Sequence, residues 1–189
     1  MSDESTPSPL VEIIRAAITE SPLGAIPLSR YMALALYHPE HGYYRRAEVG
    51  PGRTGDFLTA PEASPYFGLT VARQLIEIWD RLGQPDAWEI REFGAGSGVL
   101  AYDILAGITH DAPEAIDGLQ YRLVESNPHR RAEALASMIA AGLGERVLIS
   151  DPTDSMPGFT GVLLGNEVAD AFPAHRLVVR AGALRECLV

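Results

Sequence analysis

Cysteine is almost absent from this 189-residue sequence, which contains only Cys187. A single cysteine excludes an internal disulfide and argues strongly against a cysteine-based metal site. The five histidines are scattered, and the one close pair, His38 and His41, lies in a turn with Pro39 and Gly42. We therefore predict a polar loop there and no metal site.

Long apolar runs are also missing, since none approaches the roughly 18 residues that a membrane helix requires. The opening residues, MSDESTPSPL, have neither the basic start and apolar stretch of a secretion signal nor the arginines of a mitochondrial presequence. These absences favour a cytoplasmic, bacterial protein that does not associate with a membrane. We interpret residues 1–9 as a disordered tail.

Positive charge is scarce, with 15 Lys and Arg against 25 Asp and Glu and a formal net charge of -10. Binding of nucleic acid requires a basic surface that displaces counterions from the phosphates. We therefore predict no nucleic-acid partner. The acidic balance is compatible with a small-molecule ligand or a basic protein partner.

The sequence before residue 85 predicts helices separated by an irregular segment. Apolar residues recur with helical spacing in LVEIIRAAITE, in PLSRYMALALYHP and in SPYFGLTVARQLIEIWDRLG. Ser29 is a candidate N-cap of the second helix, and Ser64 with Pro65 predicts the start of the third. The Gly- and Pro-rich segment between them is rich in aromatics, which a flexible linker would lack. We assign residues 10–84 to a helical region with a loop that packs against another part of the protein.

Strands and helices alternate after residue 85. Four apolar runs predict strands, and the intervening segments predict helices: AWEIREF, LQYRLVES, RVLIS and GVLLGN. Strands that alternate with helices form parallel βαβ units. The sequence therefore predicts an α/β fold with a Rossmann-like, doubly wound parallel sheet over residues 85–189.

A glycine-rich turn, EFGAGSG, follows the first predicted strand and precedes a helix. Gly94, Gly96 and Gly98 allow a tight turn and close approach of a ligand to the backbone. Glu125 ends the second predicted strand, where a carboxylate accepts hydrogen bonds from ribose hydroxyls. These features indicate a nucleotide site, although a glycine-rich turn without a ligand is the alternative.

The identity of the nucleotide follows from two neighbours of this turn. A dinucleotide fingerprint has Gly or Ala three positions after its second Gly, where this sequence has Val99. Glu92 would repel a pyrophosphate but suits a cationic ligand without phosphate. S-adenosylmethionine (SAM), with its sulfonium and amino group, is therefore favoured over NAD, and an oxidoreductase is the less favoured alternative.

A second polar group follows the fourth predicted strand, in GVLLGNEVADAFPAH. Asn166, Glu167 and Asp170 stand beside an apolar run, and buried ionisable groups require partners. One hypothesis is that these side chains bind a positively charged or hydrogen-bonding ligand. The alternative is structural: an ion pair of Glu167 with Arg176 and a helix cap at Asp170.

The sequence resembles the MidA-like class I SAM-dependent methyltransferases, the family of a mitochondrial complex I assembly factor that methylates a protein arginine. The resemblance lies in five segments: YMALALYHPEHGYY, GDFLTAPEASPYFG, EFGAGSGVLAYDIL, YRLVESNPHRR and LLGNEVADAFPAHRLVV. It implies that Gly94, Gly96 and Gly98 border SAM, and that Glu125 binds its ribose. It also implies catalytic roles for Asn166, Glu167 and Asp170: the two carboxylates would converge on an arginine guanidinium, and Asn166 would hydrogen-bond the acceptor or SAM. A lid with cofactor contacts from Asp56, Phe57 and Thr59 is implied as well.

Members of this family are longer and have seven strands, of which this sequence shows the first four. The resemblance therefore implies an N-terminal fragment and an arginine acceptor on a protein, such as a respiratory-complex subunit. A non-catalytic assembly or interaction module is the alternative function. Because a partial parallel sheet exposes an unpaired edge, we also expect the chain to associate, including as a homo-oligomer.

Overall fold

The computed structural model describes residues 8–46, 55–56 and 58–189. These residues divide into two compact units, one drawn from residues 8–46 with 169–189 and the other from residues 55–168. None of the helices described is both long and apolar enough to cross a membrane. The second unit contains the parallel sheet and is described first.

Four parallel strands form the sheet of the second unit, in the order β3-β2-β1-β4. Their bounds match the four predicted strands closely: β1 Trp88–Phe93, β2 Leu119–Val124, β3 Val147–Ser150 and β4 Gly161–Gly165. The central strands β1 and β2 are largely buried, as expected in a parallel sheet that helices cover. Ile90 and Tyr121 are fully buried. The predicted α/β fold with a parallel sheet is confirmed.

Five helices belong to the same unit: α3 Ala60–Ala63, α4 Pro65–Arg81, α5 Val99–Asp111, α6 Pro113–Asp117 and α7 Pro128–Ala140. The Oγ atom of Ser64 accepts a hydrogen bond from the Tyr66 N–H at 3.3 Å, and Pro65 stands in the first turn of α4. The predicted start of this helix is thereby confirmed. Helices α4 and α5 pack against each other, and α5 follows β1 directly.

Both tryptophans of the chain lie in the core of this unit. Trp88 in β1 and Trp79 in α4 are 3% and 5% exposed. The indole N–H of Trp88 donates to the Ala115 carbonyl at 2.8 Å, and that of Trp79 donates to the Pro85 carbonyl at 3.3 Å. Each indole therefore buries its ring without leaving a polar atom unpaired.

A buried ion cluster lies on the face of β1 opposite Trp88 and Ile90. Arg91 donates to both carboxylate oxygens of Glu89, at 2.8 and 3.1 Å, and Arg122 of β2 donates to Glu89 at 2.5 Å. The Arg91 guanidinium also stacks 3.8 Å from the Phe159 ring centroid. Burial alone would raise the pKa of Glu89, but the two arginines outweigh it and lower that pKa below its usual value.

The first unit contains α1 Pro9–Glu20, α2 Leu28–Tyr37 and a hairpin of β5 Leu177–Arg180 with β6 Ala183–Glu186. Backbone hydrogen bonds between Ile26 and Val189 join the two parts of the chain. The predicted N-cap at Ser29 is wrong, because α2 begins earlier with Pro27 in the cap position. Ser29 lies in the first turn, and its hydroxyl is 3.4 Å from His175 Nε2.

The compact units are not separated at residue 85. Helix α4 belongs with the sheet, and residues 169–189 belong with the N-terminal helices. Helix α1 begins at Pro9, the last residue of the predicted tail. The division into a tail at 1–9, a helical region at 10–84 and a Rossmann-like domain at 85–189 stays a prediction about independently folding parts.

Candidate functional site: the carboxyl edge of the parallel sheet

The order of the strands reverses at the carboxyl ends of β1 and β4. The chain runs from β1 outward to β2 and β3 and then returns to the other side of β1 with β4. In open α/β sheets, ligands bind at this point of reversal, outside the carboxyl ends of the strands. The glycine turn follows β1 there, and Asn166 and Glu167 follow β4.

The backbone of the glycine turn has a conformation and close contacts that disfavour residues with side chains. Gly94, Gly96 and Gly98 have φ values of 67°, 56° and 83°, in the left-handed region that favours glycine. A Cβ atom at Gly94 would lie 2.8 Å from a methyl group of Val168, and one at Gly98 would lie 3.0 Å from the Met138 methyl group. Conformation therefore favours glycine at all three positions, and a side chain at Gly94 would also displace Val168.

Helix α5 begins immediately after this turn. Gly98 occupies its cap position, and no side chain caps the first turn. The N–H groups at a helix start have no partner within the helix and present partial positive charge. They can donate hydrogen bonds to the carboxylate of an amino-acid ligand. That carboxylate is the one anionic group of SAM.

Glu125 lies directly beside the glycine turn. Its carboxylate accepts hydrogen bonds from the Gly96 N–H at 2.9 Å, the Asn127 N–H at 2.8 Å and the Ser126 hydroxyl at 3.4 Å. The Asn127 side chain in turn caps α7 by accepting from the His129 N–H at 2.9 Å. An ionised carboxylate has about four acceptor positions. Glu125 is therefore held in place, and acceptor capacity for a ribose hydroxyl remains on the oxygen that faces Gly96.

Glu92 is buried beneath the turn and is only 4% exposed. Its one hydrogen bond among the described residues comes from the Tyr121 hydroxyl at 2.7 Å. Burial raises the pKa of Glu92 from 4.5 to about 7, the Tyr121 hydrogen bond opposes that rise, and the charge of Glu125 adds to it. The carboxyl group is thus poised to change charge near neutral pH.

The segment before α4 reaches the turn through Glu62. The Ser97 hydroxyl donates to the Glu62 carboxylate at 3.3 Å, which brings α3 next to the glycine turn. Asp56 is exposed and Thr59 is half-buried. Phe57 lies outside the described residues. The cofactor contacts assigned to these three residues stay predictions.

The polar group after β4 is only partly assembled by the described contacts. Asn166 is half-buried, and Glu167 is exposed with a φ of 51°, which is uncommon for a residue with a side chain. Asp170 is exposed within a short 3₁₀ helix, Ala169–Ala171, which belongs to the first unit. Glu167 belongs to the second unit and Arg176 to the first, so the alternative of an ion pair between them stays a prediction, as does the catalytic role.

Three residues of the site were not identified from the sequence. From the sequence, Tyr121 is indistinguishable from other buried strand residues, because its contact with Glu92 depends on strand register. Val168, which packs on Gly94, carries no distinctive signal. The cap at Asn127 had a signal, since Asn followed by Pro commonly begins a helix.

The described acids at this edge are not neutralised by basic side chains. Glu62, Glu92, Glu125 and Glu167 all belong to the second unit, and none of them forms an ion pair within the part of the chain described. Such a lining repels phosphates and attracts a cation. The fold and this acid-lined glycine turn define the cofactor-binding part of a Rossmann-like, SAM-dependent methyltransferase.

Comparison with known proteins agrees with that class. Residues 70–189 match the family described as "Putative S-adenosyl-L-methionine-dependent methyltransferase". The chain belongs to this family. It is also similar to the protein arginine methyltransferase NDUFAF7 of Xenopus tropicalis, mitochondrial, at 38% identity over 88% of this chain and 43% of the relative. The Drosophila melanogaster homolog of that protein is 29% identical over 98% of this chain and 46% of the relative.

Among solved structures, the chain is similar to a Burkholderia thailandensis protein described as a "likely methyl transferase" bound to S-adenosyl-homocysteine. The TM-score is 0.73 at 32% identity, covering 98% of this chain and 52% of that one. A native crystal structure of a protein from the same organism gives a TM-score of 0.68 at 33% identity, covering 98% and 51%. The chain thus spans about half the length of the relatives it matches.

Proposed function

We propose that this chain forms the SAM-binding half of a methyltransferase that acts on a protein arginine. The single observation that supports the cofactor most strongly is the glycine turn bordered by Glu92 and Glu125, neither of which forms an ion pair with any of the residues described. SAM is cationic and lacks phosphate, so it fits this lining, whereas NAD would bring two phosphates against it.

Different groups in and beside the turn would bind different parts of SAM. Glu125 binds the ribose hydroxyls, the free N–H groups of α5 bind the carboxylate, and the glycines let the ligand approach the backbone. When bound, SAM supplies a methyl group on a positively charged sulfur. Because methyl transfer is an in-line displacement, the remaining task of the protein is to position the acceptor and exclude water.

Glu167 is the residue best placed to receive the acceptor. It is exposed at the carboxyl end of β4, within the same unit as the glycine turn. A carboxylate can pair with a guanidinium, orient its attacking nitrogen and take up the proton that the nitrogen loses. Asn166 would hydrogen-bond the acceptor or the cofactor. Asp170 belongs to the other compact unit, and its convergence with Glu167 stays part of the proposal.

The arginine acceptor is supported by the names of the relatives, which are called protein arginine methyltransferases. A respiratory-complex subunit as acceptor is supported by family resemblance alone. Those relatives are named mitochondrial. The bacterial cytoplasm as the location of this chain stays part of the proposal. Homo-oligomer formation also stays part of the proposal.

Cofactor binding is tested by titration calorimetry of this chain with SAM, with NAD as the competing ligand. We expect SAM to bind and NAD not to bind. Glu125→Ala should weaken SAM binding by at least tenfold, about 1.4 kcal/mol. Glu145→Ala is the matched control, because Glu145 is an exposed glutamate in the 3₁₀ helix Gly144–Arg146 that precedes β3. Binding of NAD, or equal effects of the two substitutions, would contradict the proposal.

The acceptor role is tested by Glu167→Gln in an enzyme of the relatives' full length. The amide keeps the size of the side chain but cannot neutralise a guanidinium or take up its proton. We expect loss of methyl transfer from radiolabelled SAM to protein arginines, with SAM affinity unchanged within about threefold. Retention of methyl transfer would show that the assigned role is wrong. Retention of SAM binding without any transfer by the unmodified enzyme would favour the non-catalytic interaction module.

A further inference from the structure

The contact between Tyr121 and Glu92 has no role in the function proposed so far. Tyr121 in the middle of β2 is fully buried, and its hydroxyl donates to Glu92 at 2.7 Å. Tyr121 pairs in register with Ile90, so the hydroxyl reaches diagonally across the sheet to the residue two positions further along β1. A buried tyrosine hydroxyl needs a hydrogen-bond partner, and a leucine or phenylalanine would fill the same strand position without one.

Among the residues described, Tyr121 is the one side chain that donates a hydrogen bond to the Glu92 carboxylate. Glu92 pairs in register with Leu123 on one side and Leu164 on the other, neither of which can donate a hydrogen bond from its side chain. The charged group whose field acts on Glu92 is Glu125, which disfavours a second negative charge. Asp103 of α5 is buried, and burial raises its pKa as well. Arg131 of α7 pairs instead with Asp151 at 2.8 Å.

The position of Glu92 gives its charge a consequence for ligand binding. It lies two residues before Gly94, under the turn that the proposed cofactor would approach. An ionised Glu92 attracts the sulfonium and ammonium groups of SAM, and a protonated Glu92 does not. Whatever fixes the charge of this one carboxyl group therefore sets part of the affinity.

We propose that Tyr121 is a positioning residue for cofactor binding, whose hydroxyl stabilises the ionised form of Glu92 beneath the glycine turn and so makes SAM affinity depend on pH. This inference rests on the proposed function, because it requires SAM to bind at this turn. Tyr121 touches neither the cofactor nor the acceptor. It acts through Glu92.

The test is the pH profile of SAM affinity, measured by calorimetry from pH 5.5 to 9. For the unmodified chain we expect affinity to rise by up to about tenfold per pH unit and to level off near the pKa of Glu92, about 7. Tyr121→Phe removes the hydroxyl and keeps the ring. It should move the levelling point upward and weaken binding at pH 7 about tenfold, while the two profiles meet at high pH.

Two comparisons separate this role from a merely structural one. Glu92→Gln should remove the rise of SAM affinity that levels off near the pKa of Glu92. The pH dependence that remains is that of the SAM amino group, and it serves as the baseline. Tyr66→Phe is the matched control, because Tyr66 is 77% exposed on α4, and it should leave the profile unchanged. Equal weakening by Tyr121→Phe at every pH would overturn the inference, since loss of packing does not depend on pH.

A substitution in the opposite direction covers the case in which Tyr121→Phe does not fold. Incorporation of 3-fluorotyrosine at position 121 keeps the hydroxyl and makes it a stronger donor, so the levelling point should move to lower pH. An unmoved levelling point would overturn the inference. Absence of SAM binding by the unmodified chain at every pH would instead be failure of the proposed function, which makes the two failures distinguishable.

Discussion

Two glutamates on strand β1, one near each end of the strand, differ in their hydrogen-bond partners and in the direction of their pKa shifts. Glu89, near the amino end, accepts hydrogen bonds from Arg91 and Arg122. Glu92, at the carboxyl end, has a single hydrogen bond from a neutral tyrosine. The arginines lower the pKa of Glu89, whereas burial raises the pKa of Glu92 to about 7. Compensated charge indicates a structural role, and uncompensated charge indicates a site that awaits a cation.

The largest effect is expected from Glu89→Gln. This change leaves Arg91 and Arg122 largely buried without their carboxylate, and breaking a buried ion pair costs about 3–5 kcal/mol. We expect the free energy of unfolding at pH 7 to fall by that amount in urea titrations. The matched control is Glu77→Gln on α4, since Glu77 is half-exposed and pairs with the exposed Arg81. That control should change the free energy of unfolding by less than about 1 kcal/mol. A similar loss in both variants would show that the buried ion pair of Glu89 contributes no more than an exposed one.

The same substitution at Glu92 should act in the opposite direction. Because the pKa of Glu92 is raised from 4.5 to about 7, the folded chain binds the proton more tightly than the unfolded chain. The associated stability is present below pH 4.5 and is lost as pH rises through 7, a loss of roughly 3 kcal/mol. Glu92→Gln should remove this loss, so the variant should be more stable than the unmodified chain at pH 8.

The measurement for this prediction is the difference in unfolding free energy between the two chains across pH. It should be small near pH 4, grow between pH 4.5 and 7, and stay constant above. Glu89 is the same in both chains, so the stability that its lowered pKa provides, and that is lost as pH falls below 4.5, cancels from this difference. A difference that does not vary with pH would mean that Glu92 does not titrate in this range.

The smallest effect is expected from Asn127→Ala, which sharpens the comparison at the carboxyl end. Loss of the N-cap of α7 should cost about 1 kcal/mol of stability. Because α7 begins just after Glu125, SAM affinity should also fall a few-fold. Ser64→Ala removes the corresponding cap of α4 and serves as the control, with a similar loss of stability. If both substitutions weaken SAM binding equally, the cap at Asn127 has no specific connection to the site.

The sequence predicted the parallel sheet well because its signals are local. Apolar runs such as VLLG and RLV form buried strands, and the spacing of Gly94, Gly96 and Gly98 permits a backbone that has positive φ at each of these residues. The family resemblance added the expectation that the segment before α4 forms a lid over the cofactor, which stays a prediction. The described contact of this segment with the glycine turn is the hydrogen bond from Ser97 to Glu62.

Features that depend on register or on distant parts of the chain could not be predicted. The hydrogen bond from Tyr121 to Glu92 requires that β1 and β2 pair at one particular offset. The association of residues 169–189 with the N-terminal helices depends on backbone hydrogen bonds between Ile26 and Val189. The cap at Ser29 failed because the preference of a serine for helix starts did not fix which residue starts the helix.

The burial of both tryptophans has a practical consequence for spectroscopy. Trp79 and Trp88 lie in the unit that contains the sheet, so their emission reports on the unfolding of that unit alone. Circular dichroism also detects α1 and α2 of the other unit. Coincident transitions by the two methods would show that both units unfold as one cooperative step. A fluorescence change that lags behind the loss of ellipticity would show that the helical unit opens first.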